Sequence, residues 1–597
     1  MSRMRLDAAN IEKILHEDEI EGEECSEIED YLEIDEHDSN SCQSSEEDCT
    51  EFVSSSPVPT SDNLFHRRTD LDNVPLKYIR QGHYLSKNGA VKWNIEEPPR
   101  SVRTRSHNII TERPGPINEA KDAQTSLECW VLMYPDNVLE QVVVYTNIYI
   151  TAIQNKFQRE RDCLPTDLIE LKALLGLLYY FGKLRGAHLN TNDFWATDGT
   201  GSDICIATMS RQRFHFLLRC LRFDDINTRQ QRRQSDKLAA IRDFFTGFVT
   251  RIKKHYCLGD TVTIDEKLEP FRGRCPFRQY MPNKPARYGI KIFVLADSRT
   301  YYTAEMEIYA GKQNAGPFDV SNKPLDLVKR MVESIKDSHR NVVMDNWFTS
   351  FPLITELYEN YGLTVLGTLR KNKPEIPPVF TSTKGREPKS TYFGFQPNCT
   401  LLSYAPKKGK VVLLVSTMHH DATIDPDTGD KFKPNMITDY NMYKCGVDVV
   451  DEMCGTYSVS RVSKRWPLTI FFGLMNVGAI NAYVIYNANM KRLQKETVER
   501  RHFLKDLALG LVMPQIQKRS SITTLPRFIR SKMFQILGKE EITERSQSSG
   551  ASSNVRGRCS LCPSKKDRKT KTQCHFCQAF ICRDHTMFVC ENCKQKD

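Results

Sequence analysis

Near residue 260 the hydrophobic period of this chain changes from about 3.6 to 2, and any fold must accommodate that switch. Upstream the text is helical. Val138, Val142, Val143, Thr146 and Ile150 recur at near-helical spacing, and Leu168 to Leu184 follows a Pro-Thr-Asp start. Ser210 is placed to cap a helix whose Phe214, Leu217, Leu218 and Leu221 share one face, with Arg211, Arg219 and Arg222 nearer the outside. Leu238, Ile241, Phe245, Phe248 and Ile252 form a further stripe. Downstream, TVTI (261–264), IKIFVLA (290–296) and TAEMEIY (303–309) read as three strands. A helix over 324–338, a strand NVVM (341–344), a helix after Ser350 and a strand LTVLGTL (363–369) follow. The order β-β-β-α-β-α-β predicts an α/β fold: a meander of three strands, then strands reached through helical crossovers, in one mixed sheet flanked by helices. Residues 370–440 interrupt it with Pro, Gly, Lys and short strand candidates such as KVVLLVS (410–416), the mark of an insertion.

Charge and length narrow the class. The chain has 597 residues and a formal net charge of +9, too long for a single domain. Its first 50 residues alone carry 18 acidic and 3 basic side chains, so the remainder is strongly basic and suited to a polyanionic partner such as nucleic acid. The acidic, Ser-rich opening and the Pro-punctuated text up to about residue 120 hold too few spaced apolar positions to offset chain entropy and read as disordered. That opening does not read as a signal peptide. The uncharged stretch Pro467 to Tyr486 has the length of a bilayer span, but Asn476 and Asn481 lie inside it, and a buried core helix is the better expectation. No membrane is expected.

Two strand ends carry carboxylates. Asp265 follows TVTI and Asp345 follows NVVM. The element order is that of RNase H-like nucleases and transposases, in which the first and fourth strands are neighbours, so the two acids can face each other across 80 positions of sequence. A third acid is expected on a later helix, and CGVDVVDEM supplies Asp448 and Asp451 on one helical face. An oxygen-only cluster of this kind suits phosphoryl transfer with two Mg²⁺ (or Mn²⁺) ions roughly 4 Å apart. Glu266, next to the first Asp, points to the opposite face if the strand continues and reads as a salt-bridging neighbour. Around Asp265, Arg272, Arg274, Arg278, Lys284, Arg287 and Lys291 either contact phosphates or pair with the acids; Arg272, Arg274 and Lys284 are the DNA-contact candidates. Trp466 opens the apolar helix, placed to pack in the core or stack on a base.

Nineteen cysteines are present, seven of them in the last 39 residues, a distribution that fits a reducing compartment with one metal module. Cys559, Cys562, Cys574, Cys577, Cys582, His585, Cys590 and Cys593 spell C-x2-C-x11-C-x2-C-x4-C-x2-H-x4-C-x2-C. Four ligand pairs are what two structural Zn²⁺ ions need. The spacing suggests a cross-brace, with Cys559, Cys562, Cys582 and His585 on one ion and Cys574, Cys577, Cys590 and Cys593 on the other; a sequential arrangement is the alternative. Lys565, Lys566, Arg568, Lys569 and Lys571 fill the long loop, a basic run able to grip phosphates and to serve as a nuclear import signal.

TIDEKLEPFRGRCPFRQYMPNKPARYGIK, MDNWFTS and CGVDVVDEMC, together with the cysteine ending, resemble the piggyBac family of DNA transposases, from about residue 126 to the C-terminus. The resemblance implies an RNase H-like core whose catalytic triad falls on Asp265, Asp345 and Asp448, with Asp451 as an additional carboxylate. Where the family pattern has two glycines before the third Asp, this chain has Cys445 and then Gly446. The implied organisation is a disordered acidic region at 1–120, a helical dimerisation and DNA-binding domain at 121–260 and 458–540, a catalytic core at 261–370 and 441–457, an insertion domain at 371–440, a linker at 541–556 and a cysteine-rich domain at 557–597. It further implies the reaction of a nuclear homodimer: nicking at the transposon 3′ ends, hairpin formation, joining at TTAA targets and seamless excision, with the zinc module reading the terminal inverted repeats of double-stranded DNA. The alternatives are a domesticated DNA-binding protein without catalysis, and a zinc-module interaction protein or ubiquitin ligase, which leaves the long basic core unexplained.

Overall fold

The computed structural model describes residues 33–34, 75, 78, 81–99, 106–187, 189–282, 284–539, 556–574 and 578–587. It comprises two compact units, Met1–Met533 and Phe534–Asp597. The first begins with helices where the 3.6-residue period runs: α1 (Ser126–Val131), α2 (Asp136–Ile153), α3 (Leu168–Lys183), α4 (Arg211–Cys220) and α5 (Arg242–Lys254). Their starts are set by side-chain caps. Thr125 and Glu128 close a capping box on α1, Asp167 accepts the Glu170 N–H on α3, and Ser210 accepts the Arg213 N–H on α4. One expectation for α4 fails. Arg222 lies just beyond the helix, buried, with its guanidinium 3.5 Å from the Tyr149 ring centroid, because a planar cation can shed water onto an aromatic face.

The sheet is built from β1 (Thr261–Pro270), β2 (Arg278–Tyr280), β3 (Tyr288–Asp297), β4 (Thr303–Ile308), β5 (Asn341–Met344) and β6 (Thr364–Thr368), with helices α6 (Pro324–Val332) and α7 (Phe351–Asn360) as the crossovers. Its spatial order is β4–β3–β1–β5–β6, with β2 sharing β3's outer edge. The meander strands pair antiparallel, and β5 pairs parallel with both β1 and β6. The region expected as an insertion does not leave this sheet. β7 (Thr391–Phe395), β8 (Thr400–Lys407) and β9 (Lys410–Ser416) form a meander, and β9 pairs antiparallel with β6 through Leu366↔Ser416.

The expectation of disorder up to residue 120 is also corrected where residues are described. A hairpin of His83–Leu85 and Lys92–Asn94 joins the far edge, with Asn94 paired to Phe395 of β7. Tyr84 and Trp93 are fully buried there, and the Trp93 indole donates to the Glu375 carbonyl at 2.9 Å. Two aromatic side chains supply the apolar area that the spacing of the surrounding text does not advertise. Most of 1–80 and the 541–555 linker lie outside the described residues.

The remaining elements fasten helices to sheet. α8 (Gly446–Thr456) packs on β1, and α9 (Trp466–Arg492) runs through the interior, buried continuously from Ile470 to Ala482. The two flagged amides are satisfied: Asn476 accepts the Val459 N–H at 3.0 Å, and Asn481 bonds both backbone groups of Thr303 at 2.8 and 2.9 Å, extending the ladder of β4. Tyr134 and Tyr179 donate to the α9 carbonyls of Leu474 and Met475. α10 (Arg500–Ser520) lies against α3 at Gly176, where a Cβ would meet Val512 Cγ1 at 2.7 Å.

Candidate active site and metal centre

The site grows from the register of β1 on β5. These parallel strands pair Ile264 with Met344, so Asp265 and Asp345, one position further, are lateral neighbours on strands about 4.8 Å apart. Asp265 does not end its strand. β1 continues to Pro270, paired with β3 through Pro270↔Gly289, while only the β5 side stops. The continuation was hidden because its text, Asp-Glu-Lys-Leu-Glu, is charged, and its burial depends on an ion network rather than on apolar side chains.

α8 brings the third acid. Its start touches β1 at Thr263, whose hydroxyl donates to the Tyr443 carbonyl at 2.7 Å, and a Cβ on Gly446 would meet Thr263 Oγ1 at 2.6 Å. Only glycine permits that approach, which sets Asp448, two residues on in the first turn of α8, near Asp265. The residue before it, Cys445, has φ −83°, an ordinary value that asks for no glycine. Asp451, expected as an additional carboxylate at the site, is tied to the sheet by an ion pair. The helical spacing does bring it to the sheet, but the buried Lys267 ammonium holds its Oδ1 at 3.0 Å and Glu269 Oε1 at 2.5 Å. Glu269 in turn abuts Gly473 of α9, where a Cβ would lie 2.3 Å from Oε1. Asp451 is thus the anchor of α8 on β1.

Asp265 and Asp345 keep partial solvent access, yet protein surrounds them closely enough to alter their acidity. Burial first, then the charge of Glu266, with Asp345 and Asp448 adding to it, hold the Asp265 carboxyl well above the carboxylate range, and Lys284 opposes them. Burial and Glu266 push Asp345 up to about 6, against N–H donation from Trp347 and Phe348 and the charge of Arg370. Glu266, read from sequence as a salt-bridging neighbour, bears with its charge on both aspartates and on Lys284. Arg370 was not singled out in the sequence; its place just past β6, the strand beside β5, is the signal that could have found it.

The basic residues divide. Arg272 and Arg274 are exposed, as phosphate contacts need to be. Lys284 instead turns to the acids, 3.3 Å from Asp448 Oδ1; burial disfavours its charge, but Asp265, Asp448, Glu266 and Asp451 hold its pKa above the usual lysine value. Arg278 folds back to donate to the carbonyls of Arg272 and Gly273, and Lys291 is buried about 5 Å from the Phe293 and Trp347 rings. Trp466 packs edge-on against Phe277.

The acid set is oxygen-only and short of positive charge, which fits hard divalent ions. It is more open than the shell of one ion. Among the described residues, the group of metal-capable side chains whose ligand atoms all lie within 4.8 Å of one another is Cys559, Cys562, Cys582 and His585. In that group, Sγ to Nδ1 separations run from 3.3 to 3.7 Å and Cys562 to Cys582 is 3.6 Å. Tetrahedral Zn²⁺ with bonds of about 2.3 Å to sulfur and about 2.0 Å to nitrogen sets ligand edges near these values. The convergence follows the cross-brace pairing and not the sequential one. Cys574 is half-buried, and Cys577, Cys590 and Cys593 lie outside the described residues. In the loop, Lys565, Lys566, Lys569 and Lys571 are exposed, whereas Arg568 pairs with Asp584.

A family model described as Transposase IS4 matches residues 125–483. Human PiggyBac transposable element-derived protein 3 is 24% identical over 435 residues, 66% of this chain and 70% of that protein, and human PiggyBac transposable element-derived protein 5 is 22% identical over 410 residues, 65% and 75%. A piggyBac transposase seen by cryo-electron microscopy in a synaptic complex with hairpin DNA matches with a TM-score of 0.71 and 34% identity, covering 81% of this chain and 100% of that one. The family match spans more than half of the chain, and the protein belongs to the piggyBac-type Transposase IS4 family.

Proposed function

We propose that this protein is an active DNA transposase that cuts and joins transposon ends by metal-dependent phosphoryl transfer. The observation that carries the reading is the parallel register of β1 and β5, which sets Asp265 beside Asp345 with Asp448 delivered by α8. On this reading the 261–370 and 441–457 segments are an RNase H-like core, and Asp265, Asp345 and Asp448 hold a pair of Mg²⁺ or Mn²⁺ ions. Such ions, when bound, supply activation of the attacking oxygen and stabilisation of the departing one. Asp451 keeps α8 seated through Lys267, and exposed Arg272 and Arg274 take up backbone phosphates. The hairpin DNA held by the structural relative supports hairpin ends, and joining at TTAA targets with seamless excision follows from the resemblance to the family. Nuclear entry through the 565–571 run, recognition of terminal repeats by the zinc module and dimerisation through 121–260 and 458–540 complete the proposal.

The test is plasmid excision with the ends of the element that encodes the chain. Asp265→Asn and Asp345→Asn should each lower excision by about 10³-fold or more, on the scale of what metal-held charge contributes, with end binding unchanged. Unaltered excision rejects the catalytic roles. A second reading, a domesticated protein that binds DNA without cutting it, draws on the names of the human relatives as element-derived proteins. Wild-type protein that binds ends yet excises nothing would decide for it.

A further inference from the structure

Lys284 behaves unlike a surface lysine awaiting a phosphate. Its side chain is only 19% exposed, with the ammonium 3.3 Å from Asp448 Oδ1 and within the field of Asp265 and Glu266. The turn that carries it is closed on itself. Met281 N–H donates to the Arg287 carbonyl at 2.7 Å, Lys284 N–H to Met281 at 3.2 Å and Arg287 N–H to Lys284 at 3.0 Å. Pro285 follows directly, and Arg287 takes φ 54° to complete the turn. A side chain issued from so constrained a backbone is aimed, and it is aimed at the acids.

Resting on the metal reading above, we propose that Lys284 is the built-in counter-charge of the acid cluster, a positioning residue that holds Asp448 toward Asp265 while no divalent ion is present and competes with such ions for the same carboxylates. Acids gathered without a cation repel one another, and a single ammonium relieves part of that repulsion. When a doubly charged ion enters, the ammonium becomes a like charge at close range and must withdraw. The protein therefore binds divalent ions more weakly than its carboxylates alone would dictate. In exchange, the cluster stays assembled before they arrive.

The experiment titrates full-length protein with Mn²⁺ alone, without DNA, by calorimetry and by loss of the free-ion electron paramagnetic resonance signal, and records Tm with and without Mn²⁺. Lys284→Gln should bind Mn²⁺ about tenfold more tightly, melt lower than wild type in Mn²⁺-free buffer and recover at saturating Mn²⁺. Lys284→Arg, which keeps the charge, should stay near wild type on both measures and guards against a mere folding defect. Binding in Lys284→Gln that equals or falls below wild type overturns the proposal. If Asp265→Asn abolishes Mn²⁺ binding while Lys284→Gln leaves it unchanged, only the role of Lys284 falls. Wild-type protein that takes up no Mn²⁺ overturns the metal reading, and this inference with it.

Discussion

Asp345 does two jobs with one carboxylate. Its Oδ1 accepts the N–H groups of Trp347 and Phe348 and shapes the turn after β5, while burial and Glu266 push its pKa up to about 6. In the unfolded chain the same group titrates near 4. The folded protein thus holds the proton more tightly, so the group's contribution to stability is present below about pH 4 and is lost as pH rises through about 6. Without Mg²⁺ or Mn²⁺, Asp345→Asn, which keeps the turn's acceptor but no charge, should melt above wild type at pH 7 and lose that advantage by about pH 4; thermal scans across this range check it. The positions of the acids were legible because they follow β-branched strand text at a recognisable order of elements. The roles of Lys267 and Lys284 were not, because lysine is by default a solvated residue, and only the fold reveals that α8 and the 281–287 turn enclose these two.

Among the elements, α9 shows how a long apolar helix is held inside the fold. Asn481 satisfies both the N–H and the C=O of Thr303, so the helix caps the edge strand β4. Asn481→Ala strands two buried backbone groups and should cost about 2 to 3 kcal/mol, read as a lower urea midpoint with an unchanged slope. Strands over 290–296, 303–309 and 341–344 could be read from runs of Val, Ile and alternating text, and they form where expected. The second half of β1 could not, since Lys267 and Glu269 are inside it as an ion pair. Nor could the hairpin at 83–94, whose strands are three residues long and owe their burial to Tyr84 and Trp93.

The molecule as a whole consists of a large unit and a small one, and their stabilities have different sources. Among the described residues of the small unit only Cys559 and Cys582 are buried, so on the proposed zinc reading its folding depends on its metal ligands. Cys562→Ser with Cys582→Ser should release one zinc per chain by elemental analysis and expose the 556–587 amides to hydrogen exchange, while the Tm of the large unit stays within about 1 °C. Here the sequence was informative because ligand spacing is written directly in the chain, whereas the continuity of β6 with β9 depends on pairing between distant segments. The order in which the three acids occur has a consequence for synthesis. A ribosome releases Asp265 and Asp345 well before Asp448, and α8 can dock on Thr263 only once the 391–416 meander has already emerged. On the proposed chemistry, every translation product that terminates before Gly446 lacks the third carboxylate and cannot cut DNA.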